Sequence, residues 1–263
     1  MKQKEVVLND EQPLASDFHP EGLGETIFNQ RYAHRDGESW ETACRRVANH
    51  VAQAENGSRP KWEGRFYEKL SESLFVAGGR IWYGSGRAKG QLLNCFVVPT
   101  DDSREGWGQT IKDMLIISGT GGGVGINCSP VRPRGTPIRG TGGEATGAVS
   151  LMEIINQTGE VIKAGGGRRT ALMLCLDYNH GDIMEFLDAK LDLGRLNNAN
   201  VSVLVDQDFF DAVENNEDIT LKFRGQAISE GKVEVDEKGE PIGAVETRTV
   251  SARMLWDRII ENS

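Results

Sequence analysis

An alternation of short apolar runs and helical segments between residues 92 and 214 most constrains how this chain can fold. The runs are rich in β-branched residues and read "LLNCFVV" (92–98), "VGINC" (124–128), "TALMLCL" (170–176) and "NVSVLV" (200–205). Helical periodicity occupies about 110–117, 149–162, 182–190 and 208–214. Strands that alternate with helices need crossover connections, so the pattern predicts a parallel sheet that is buried on both faces.

The first part of the chain has a different pattern. "SWETACRRVANHVAQA" (39–54) has apolar residues at helical spacing, with Ser39 as N-cap and Cys44 among the apolar positions, where we interpret it as a small buried hydrophobe. A second helix is predicted for 61–77, ended by "AGG". We therefore expect a helical domain over 1–85 and an α/β domain over 86–263, with an exposed hairpin or excursion in 220–250 and a last helix after Ser251.

Composition excludes several classes of protein. The net charge of −9 argues against a general nucleic-acid or membrane surface, because such surfaces carry excess lysine and arginine. No run of 18 apolar residues and no secretory signal occurs, so no membrane span is expected and the cytoplasm is the expected location. The four cysteines and four histidines show no disulfide or metal-ligand spacing, so no bound metal is expected.

Glycine and basic residues are concentrated in one region of this acidic chain. Residues 118–143 read "SGTGGGVGINCSPVRPRGTPIRGTGG", and a second glycine-rich loop, "KAGGGRR", covers 163–169. Neither contains a complete G-x-G-x-x-G fingerprint, and the chain has no GK[ST] sequence, so the common nucleotide motifs are absent. Two such loops before strands of one sheet favour phosphate or nucleotide binding; flexible turns with solvated charges are the alternative.

Cys95 lies within the first apolar run, after Asn94. Filling the core is the ordinary role of a strand cysteine. A reactive role would require a basic, partly open environment, which the glycine-rich region could supply if the sheet brings the two together.

Five blocks of sequence follow one another along the chain: "GGRIWYGSGRAKGQLLNCFVVPTDDS", "GGGVGINCSPVRPRGTPIRGTGG", "AGGGRRTALML", "DIMEFLDAK" and "NNANVSVLV". In this order they resemble the large catalytic chain of ribonucleotide reductases, and the resemblance runs from about residue 25 to 262. They are most similar to the adenosylcobalamin-dependent class II enzymes, whose helical domain carries a helix like "GESWETACRRVA". The implied fold is α/β: an amino-terminal helical domain followed by the first half of a ten-stranded α/β barrel.

The resemblance also implies residue roles. Cys95 matches one of two thiols that reduce the ribose 2′ position and become a disulfide. The implied substrate-binding residues are Asn94, Gly122, Gly123, Arg168 and Arg169. The implied contacts to a deoxynucleoside triphosphate effector are Asp102, Ser103, Arg132, Ile138 and Lys163. Residues 131–140 would form the first effector loop, and residues 163–170 the second, which lies between effector and substrate base.

The chain also departs from the family pattern. In that family the cysteine that carries the radical lies in an "NPCGE"-like motif, and no N-x-C-x-E sequence occurs in this chain. The second reducing thiol, the substrate-phosphate loop and the carboxy-terminal cysteine pair are absent too, and Gly119 replaces a lysine of some relatives. The chain is therefore expected to be the amino-terminal half of such a reductase, inactive until a carboxy-terminal half joins it and supplies most contacts to adenosylcobalamin.

The implied partners follow from the same resemblance. They are a ribonucleoside di- or triphosphate substrate, the effector, the carboxy-terminal half, a thioredoxin-like reductant and a second copy in a homodimer. Two alternatives stay open. A class I large chain would take its radical from a metal-containing subunit, and a non-enzymatic remnant would bind nucleotides only.

Overall fold

The structure is a computed structural model. It describes residues 18–35, 37–138, 142–164, 168–191, 195–223, 226–227 and 248–262, with the backbone alone at 163–164, 168–169 and 226–227. Among these residues no helix is both long and apolar enough to cross a membrane. The chain divides into two compact units between Asn94 and Cys95.

The first unit is helical. Its elements are α1 (Leu23–Arg31), α2 (Trp40–Val51), a 3₁₀ turn (Ala52–Ala54), α3 (Arg59–Ser71) and α4 (Gly79–Gly84). The Ser39 side chain accepts a hydrogen bond from the Thr42 backbone N–H, which confirms the predicted N-cap of α2. Cys44 is fully buried in the core of this unit, as interpreted from its place among the apolar residues.

The second predicted helix ends earlier than expected. α3 stops at Ser71, because Ser73 adopts a positive φ of 56° and takes the chain out of the helix. Gly78, expected to stop that helix, instead precedes the first residue of α4. Leu74, which lies within the range of the predicted helix, follows this turn and is exposed.

The second unit alternates strands and helices. In chain order its elements are β1 (Cys95–Val98), α5 (Arg104–Gly119), β2 (Gly123–Asn127), α6 (Ala148–Val161), β3 (Lys163–Ala164), β4 (Arg168–Arg169), β5 (Leu172–Asp177), α7 (Ile183–Asp188), β6 (Ala199–Leu204), α8 (Gln207–Asn215), β7 (Asp218–Thr220), β8 (Lys222–Phe223), β9 (Gln226–Ala227), β10 (Thr249–Ser251) and α9 (Ala252–Glu261). All four predicted strands are present, each within three residues of its expected start.

The main sheet has the order β1-β2-β5-β6, and every neighbouring pair is parallel. Strands in chain order with right-handed crossovers place all their helices on one side of the sheet. This is half of the arrangement found in a closed α/β barrel, and it lacks the reversal of strand order that creates a crevice in doubly wound sheets.

One face of this sheet carries the core. Alternate strand residues such as Ile126 and Leu174 are buried against Met114 of α5 and Ile155 of α6. The other face is uncovered among the described residues, and the side chain of Val97 there is 86% exposed. The expectation of burial on both faces was wrong for this chain, because all the crossover helices pack on the same side.

The last part of the unit packs onto the same core. β7 pairs with β10 in antiparallel register, and the Ser251 side chain accepts a hydrogen bond from the Met254 backbone N–H, as the predicted cap of α9 requires. Leu255 of α9 is fully buried. Most of the excursion predicted for 220–250 falls in 228–247, outside the described residues.

Candidate functional site

The candidate residues of the second unit fall into two groups, at opposite edges of the main sheet. Cys95, Gly122, Gly123 and the 163–170 loop lie at the edge where the strands begin. Asp102, Ser103, Arg132 and Ile138 follow the ends of β1 and β2, at the opposite edge. Helix α5 runs between the edges, spans about 24 Å by its 16 residues, and lies against β3.

Cys95 is the first residue of β1 and lies opposite Gly123 of β2. Its alternation with the buried Val98 places it on the open face, and it is exposed. Cys44 and Cys128 are buried, and burial raises the pKa of each thiol to about 12. Cys95 is therefore the cysteine that solvent and ligands reach most easily.

The first glycine loop has a structural explanation. α5 ends in a Schellman motif: Gly121, at φ 91°, donates from its N–H to the Ser118 carbonyl, and Gly122 donates to the Ile117 carbonyl. A Cβ on Gly122 would lie 2.8 Å from carbons of Phe96 and Ile117. The N–H groups of Gly121 and Gly122 are therefore used within the chain. Of the predicted substrate-binding glycines, Gly122 and Gly123, it is Gly123 that lies opposite Cys95 on the open face.

The second glycine loop is a short hairpin in its backbone. Lys163 pairs with Arg169, and Ala164 with Arg168, in antiparallel register. The intervening glycines, 165–167, lie outside the described residues. The hairpin leads directly into β5, and the Val124 N–H donates to the Ala171 carbonyl, so this loop ends beside the first glycine loop.

Asn94 is held by the helical unit. Its side-chain oxygen accepts a hydrogen bond from the Arg80 N–H at 3.3 Å, in the first turn of α4. A Cβ on Gly78 would lie 2.6 Å from the Asn94 amide nitrogen, so the glycine gives this side chain its place. Asn94 is thus positioned directly before Cys95 by a helix start.

Asp102 and Arg132 pair with each other at the far edge. Arg132 Nε lies 3.0 and 2.9 Å from the two carboxylate oxygens of Asp102, and the Arg132 backbone N–H also donates to Asp102 Oδ1 at 3.0 Å. The Asp102 side chain is 5% exposed and that of Arg132 is 32% exposed. Ser103 caps α5, accepting from the Gly106 N–H and donating to Asp101.

We call residues 131–147, which join β2 to α6, the arginine loop. It folds back on itself: the Ile138 N–H donates to the Gly143 carbonyl, and the Ala145 N–H donates to the Thr136 carbonyl. Its tip, 139–141 with Arg139, lies outside the described residues. The arginine loop therefore has a defined base, and residues 131–138 of the predicted first effector loop (131–140) form its first arm.

The base of the arginine loop is held by residues that the sequence did not single out. Asp182 accepts from the backbone N–H of Arg134 at 2.9 Å and of Ala148 at 2.8 Å, and His180 Nε2 lies 2.8 Å from the Val131 carbonyl. The available signal was "HGD" (180–182), a histidine and a carboxylate directly after a strand. The contacts join residues 34 to 49 positions apart, so sequence periodicity could not reveal them.

A surface network continues from this base. Glu185 accepts from Arg134 Nε at 2.9 Å and from Arg195 Nη2 at 3.1 Å, and Arg195 also pairs with Glu153. Burial raises the pKa of Glu185, but the hydrogen bonds from Arg134 and Arg195 outweigh it and hold that pKa below its usual value. This network ties the arginine loop to α7 and α6.

Comparison with known proteins gives matches along both units. The family described as "Ribonucleotide reductase, all-alpha domain" matches residues 19–90, and "Ribonucleotide reductase, barrel domain" matches residues 93–263. A vitamin B12-dependent ribonucleoside-diphosphate reductase of Thermoplasma acidophilum is 36% identical over 212 residues, 80% of this chain and 25% of that protein. Another, from Mycobacterium tuberculosis (strain ATCC 25618 / H37Rv), is 34% identical over 201 residues, 73% of this chain and 28% of that protein.

A third relative is the ribonucleoside-diphosphate reductase large subunit of Dictyostelium discoideum, 28% identical over 258 residues, 94% of this chain and 30% of that protein. The chain thus spans between 25% and 30% of the length of these curated relatives. The two family matches together cover most of the chain, with a helical unit and a parallel sheet in the expected order. The chain therefore belongs to the ribonucleotide reductase family.

Proposed function

We propose that this chain supplies one reducing thiol and the effector-reading loops of a vitamin B12-dependent ribonucleotide reductase. The names of the Thermoplasma and Mycobacterium relatives support the B12-dependent type and a diphosphate substrate. Because the chain spans at most 30% of these relatives, we further propose that reduction needs the remaining sequence and that this chain alone is inactive.

The observation that carries the proposal is the exposure of Cys95 on an open face of a parallel sheet. Parallel sheets in proteins are almost always covered on both faces. An apolar side chain as exposed as Val97 therefore supports a second layer from outside this chain, as closure of a barrel would provide. Cys95 would then face the interior of the barrel.

The reduction needs two thiols. The ribose 2′-hydroxyl leaves as water, two thiols supply the two electrons, and they become a disulfide that a thioredoxin-like dithiol must reduce again. We assign one of these thiols to Cys95, because cysteine can carry out this oxidation reversibly.

The second thiol must come from outside this chain. Cys44 and Cys128 are buried, and the register places Cys175 two strands from Cys95 and four residues further along. That offset corresponds to a Cα separation of about 16 Å. A disulfide requires less than about 7 Å.

The effector site is assigned to the edge where the strands end. Arg132 holds Asp102 through Nε, so its terminal N–H groups are suited to a triphosphate while Asp102 receives a sugar hydroxyl. Ser103 contributes through the helix start that it caps, where the α5 dipole favours an anion. Ile138 completes the proposed effector contacts at this edge from the arginine loop. Lys163, expected among these contacts, lies on the 163–170 loop at the edge where the strands begin, so it is not assigned to this site.

Substrate is assigned to the edge where the strands begin, beside Cys95. Gly123 leaves backbone without a side chain next to the thiol, and Asn94 precedes it. Gly122 would act only indirectly, since its N–H is already used and Phe96 and Ile117 fill the place of its missing side chain. Arg168 and Arg169 would contact substrate from the 163–170 loop.

Exposed apolar residues on α5 and α6 support a homodimer that forms through the surface of these two helices. They are Leu115, Ile116, Ile154 and Val161.

Adenosylcobalamin supplies the initial radical in the proposed reaction when it is bound. The groups around Cys95 on the open face are the Gly123 backbone and the side chains of Val97 and Met173. They offer no polar side chain to the amide groups of the cofactor, so the surroundings of Cys95 do not fit it and its contacts are assigned to the sequence outside this chain.

Complementation tests the proposal. We expect this chain, mixed with a polypeptide that corresponds to the rest of the relatives, to form deoxynucleotide with adenosylcobalamin and an external dithiol and without any radical subunit. Cys95→Ser should abolish turnover, and Cys175→Ser serves as the control. Activity only with a metal-containing subunit would indicate a class I enzyme, and effector binding without reduction under either condition would indicate a non-enzymatic remnant.

A further inference from the structure

We propose that His180 and Asp182 are positioning residues of the effector site, which fix the base of the arginine loop and so hold Arg132 in place. The inference deepens the proposed function and rests on it, since Arg132 matters here as an effector contact. Neither residue is assigned to contact the nucleotide itself. Their role is to define the backbone on either side of the residue that does.

Asp182 joins the two ends of the loop. Its side chain is buried, with the residue 5% exposed. One carboxylate oxygen accepts the Arg134 N–H and the other accepts the Ala148 N–H, at 2.9 and 2.8 Å. Hydrogen bonds to a carboxylate are about twice as strong as hydrogen bonds between neutral groups. The Asp182 carboxylate makes two of them, to residues that lie 14 positions apart in the chain. The base of the loop is closed by a single side chain.

His180 fixes the position directly before Arg132. The residue is 2% exposed; its Nδ1 accepts the Asp182 N–H at 3.0 Å, and its Nε2 lies 2.8 Å from the Val131 carbonyl. Because Nδ1 accepts a hydrogen bond, the neutral ring must carry its proton on Nε2, which donates a hydrogen bond to that carbonyl. One tautomer therefore satisfies both ring nitrogens.

Arg132 thus lies between two anchored neighbours. Its preceding carbonyl is held by His180, and two residues later the Arg134 N–H is held by Asp182. Its own N–H and Nε are bound to Asp102, at the start of α5. The backbone around Arg132 is held by side chains from the connection between β5 and α7, and its guanidinium is held by the Asp102 carboxylate.

The sequence accommodates this arrangement at Gly147. That residue has a φ of 87°, and a Cβ there would collide with Asp182 and lie 2.9 Å from the Arg134 backbone nitrogen. A left-handed backbone without a side chain lets the loop end pass directly against the carboxylate. Gly147 is therefore needed for the contact between the loop end and Asp182.

The test uses the 263-residue chain, with Asp182→Asn as the main variant and Asp188→Asn as the matched control. At position 182, asparagine keeps the shape of the side chain but turns an NH₂ group toward one of the two backbone N–H groups. Asp188 is a suitable control because it lies nearby in α7 and pairs with Arg258 on the surface. His180→Gln is a milder second variant, since its amide can still donate to the Val131 carbonyl. Circular dichroism establishes that each variant is folded.

The first measurement is amide hydrogen exchange over 131–148 without nucleotide, which depends only on the loop. We expect exchange to accelerate about tenfold or more in Asp182→Asn, and less in His180→Gln, with the control unchanged. The second is the dissociation constant for a panel of deoxynucleoside triphosphates. We expect it to rise about tenfold in Asp182→Asn.

A double-mutant cycle with Arg132→Gln separates positioning from general destabilisation. If Asp182 acts through Arg132, adding Asp182→Asn to Arg132→Gln should weaken effector binding by clearly less than its effect alone, whereas a merely structural defect would add in full. If the wild-type chain binds a triphosphate, two results would each overturn this inference. One is amide exchange over 131–148 in Asp182→Asn that equals that of the wild type, and the other is an unchanged dissociation constant in that variant. Failure of the wild-type chain to bind any such triphosphate would instead contradict the proposed function, while exchange would still decide whether the loop is held.

Discussion

Cys95 lies opposite Gly123 in the parallel register of β1 and β2, so bare backbone flanks the thiol on its neighbouring strand. The next residue on the same face, Val97, is exposed, and it lies opposite a second glycine, Gly125. This strip of the open face therefore combines a reachable thiol with space beside it. The four cysteines differ in their surroundings, which makes their reactivity a direct test of the fold.

We expect Cys95 to react first with a thiol reagent such as dithionitrobenzoate in the native chain. Cys175 should follow more slowly, because burial and then the charge of Asp177 raise its pKa. Cys44 and Cys128 should react only on unfolding, since burial raises the pKa of each to about 12. Mass spectrometry of timed samples identifies each site, and rapid native labelling of Cys128 would contradict the packing described here.

Gly122→Ala should destabilise the second unit. Its Cβ would press against Phe96 and Ile117, and overpacking of this kind costs about 1–3 kcal/mol. Gly108→Ala is the matched control within α5, where a Cβ meets no atom within 4 Å and should stabilise by about 0.5–1 kcal/mol. Urea unfolding measures both, and equal shifts in the two variants would show that the Gly122 environment is not tight.

The sequence predicted the elements of this fold better than their boundaries. Periodicity located α2, α6 and β6 closely, but it missed the first turns of α5, which depend on the Ser103 cap rather than on an apolar stripe. It placed the end of the second helix beyond Ser71, because the positive φ of Ser73 has no signature in hydrophobic spacing. Local pattern determines an element, while its ends depend on single backbone states.

The candidate site was predicted in part. Cys95 and Gly123 were singled out from the sequence and lie side by side on the open face, but Met173 and Cys175 were expected to be buried within the sheet, although they lie on that face too. Hydropathy cannot tell a face covered by the chain's own helices from one that they leave open. His180 and Asp182 were missed because their partners are distant in sequence and are backbone groups.

Glu38→Gln should destabilise the helical unit by about 3 kcal/mol. Arg46 donates to both carboxylate oxygens of Glu38, at 2.8 and 3.0 Å, and the Glu38 side chain is 4% exposed. Removing that charge leaves the buried guanidinium of Arg46 without its counter-ion. Glu41→Gln, in the exposed pair with Arg45, is the control and should change stability by less than about 1 kcal/mol.

The same ion pair predicts a dependence of stability on pH. Burial raises the pKa of Glu38, but hydrogen bonds from Arg46 and the His34 N–H lower it by more than burial raises it. The pKa in the folded state therefore lies below its usual value of 4.5. Its stabilising contribution is complete above that value and is lost as pH falls through the folded pKa. Wild type should therefore lose unfolding free energy below about pH 5 more steeply than Glu38→Gln; parallel pH curves would contradict this.

Val97→Lys should separate stability from assembly. The side chain is exposed on the open face, so the unfolding free energy of this chain should change by no more than about 0.5 kcal/mol. If a second layer covers the face, the buried lysine should prevent association with the complementing polypeptide, whereas Val97→Ala should still associate. Gel filtration of the mixtures measures this, and normal association of Val97→Lys would place the second layer elsewhere.

The most direct measurement of the central claim is the redox state of Cys95 after one turnover. A complemented, prereduced enzyme without external reductant should form one deoxynucleotide for each pair of thiols consumed. Mass spectrometry should then find Cys95 in a disulfide with a cysteine from outside this chain. Formation of product while Cys95 remains fully alkylatable would contradict the account.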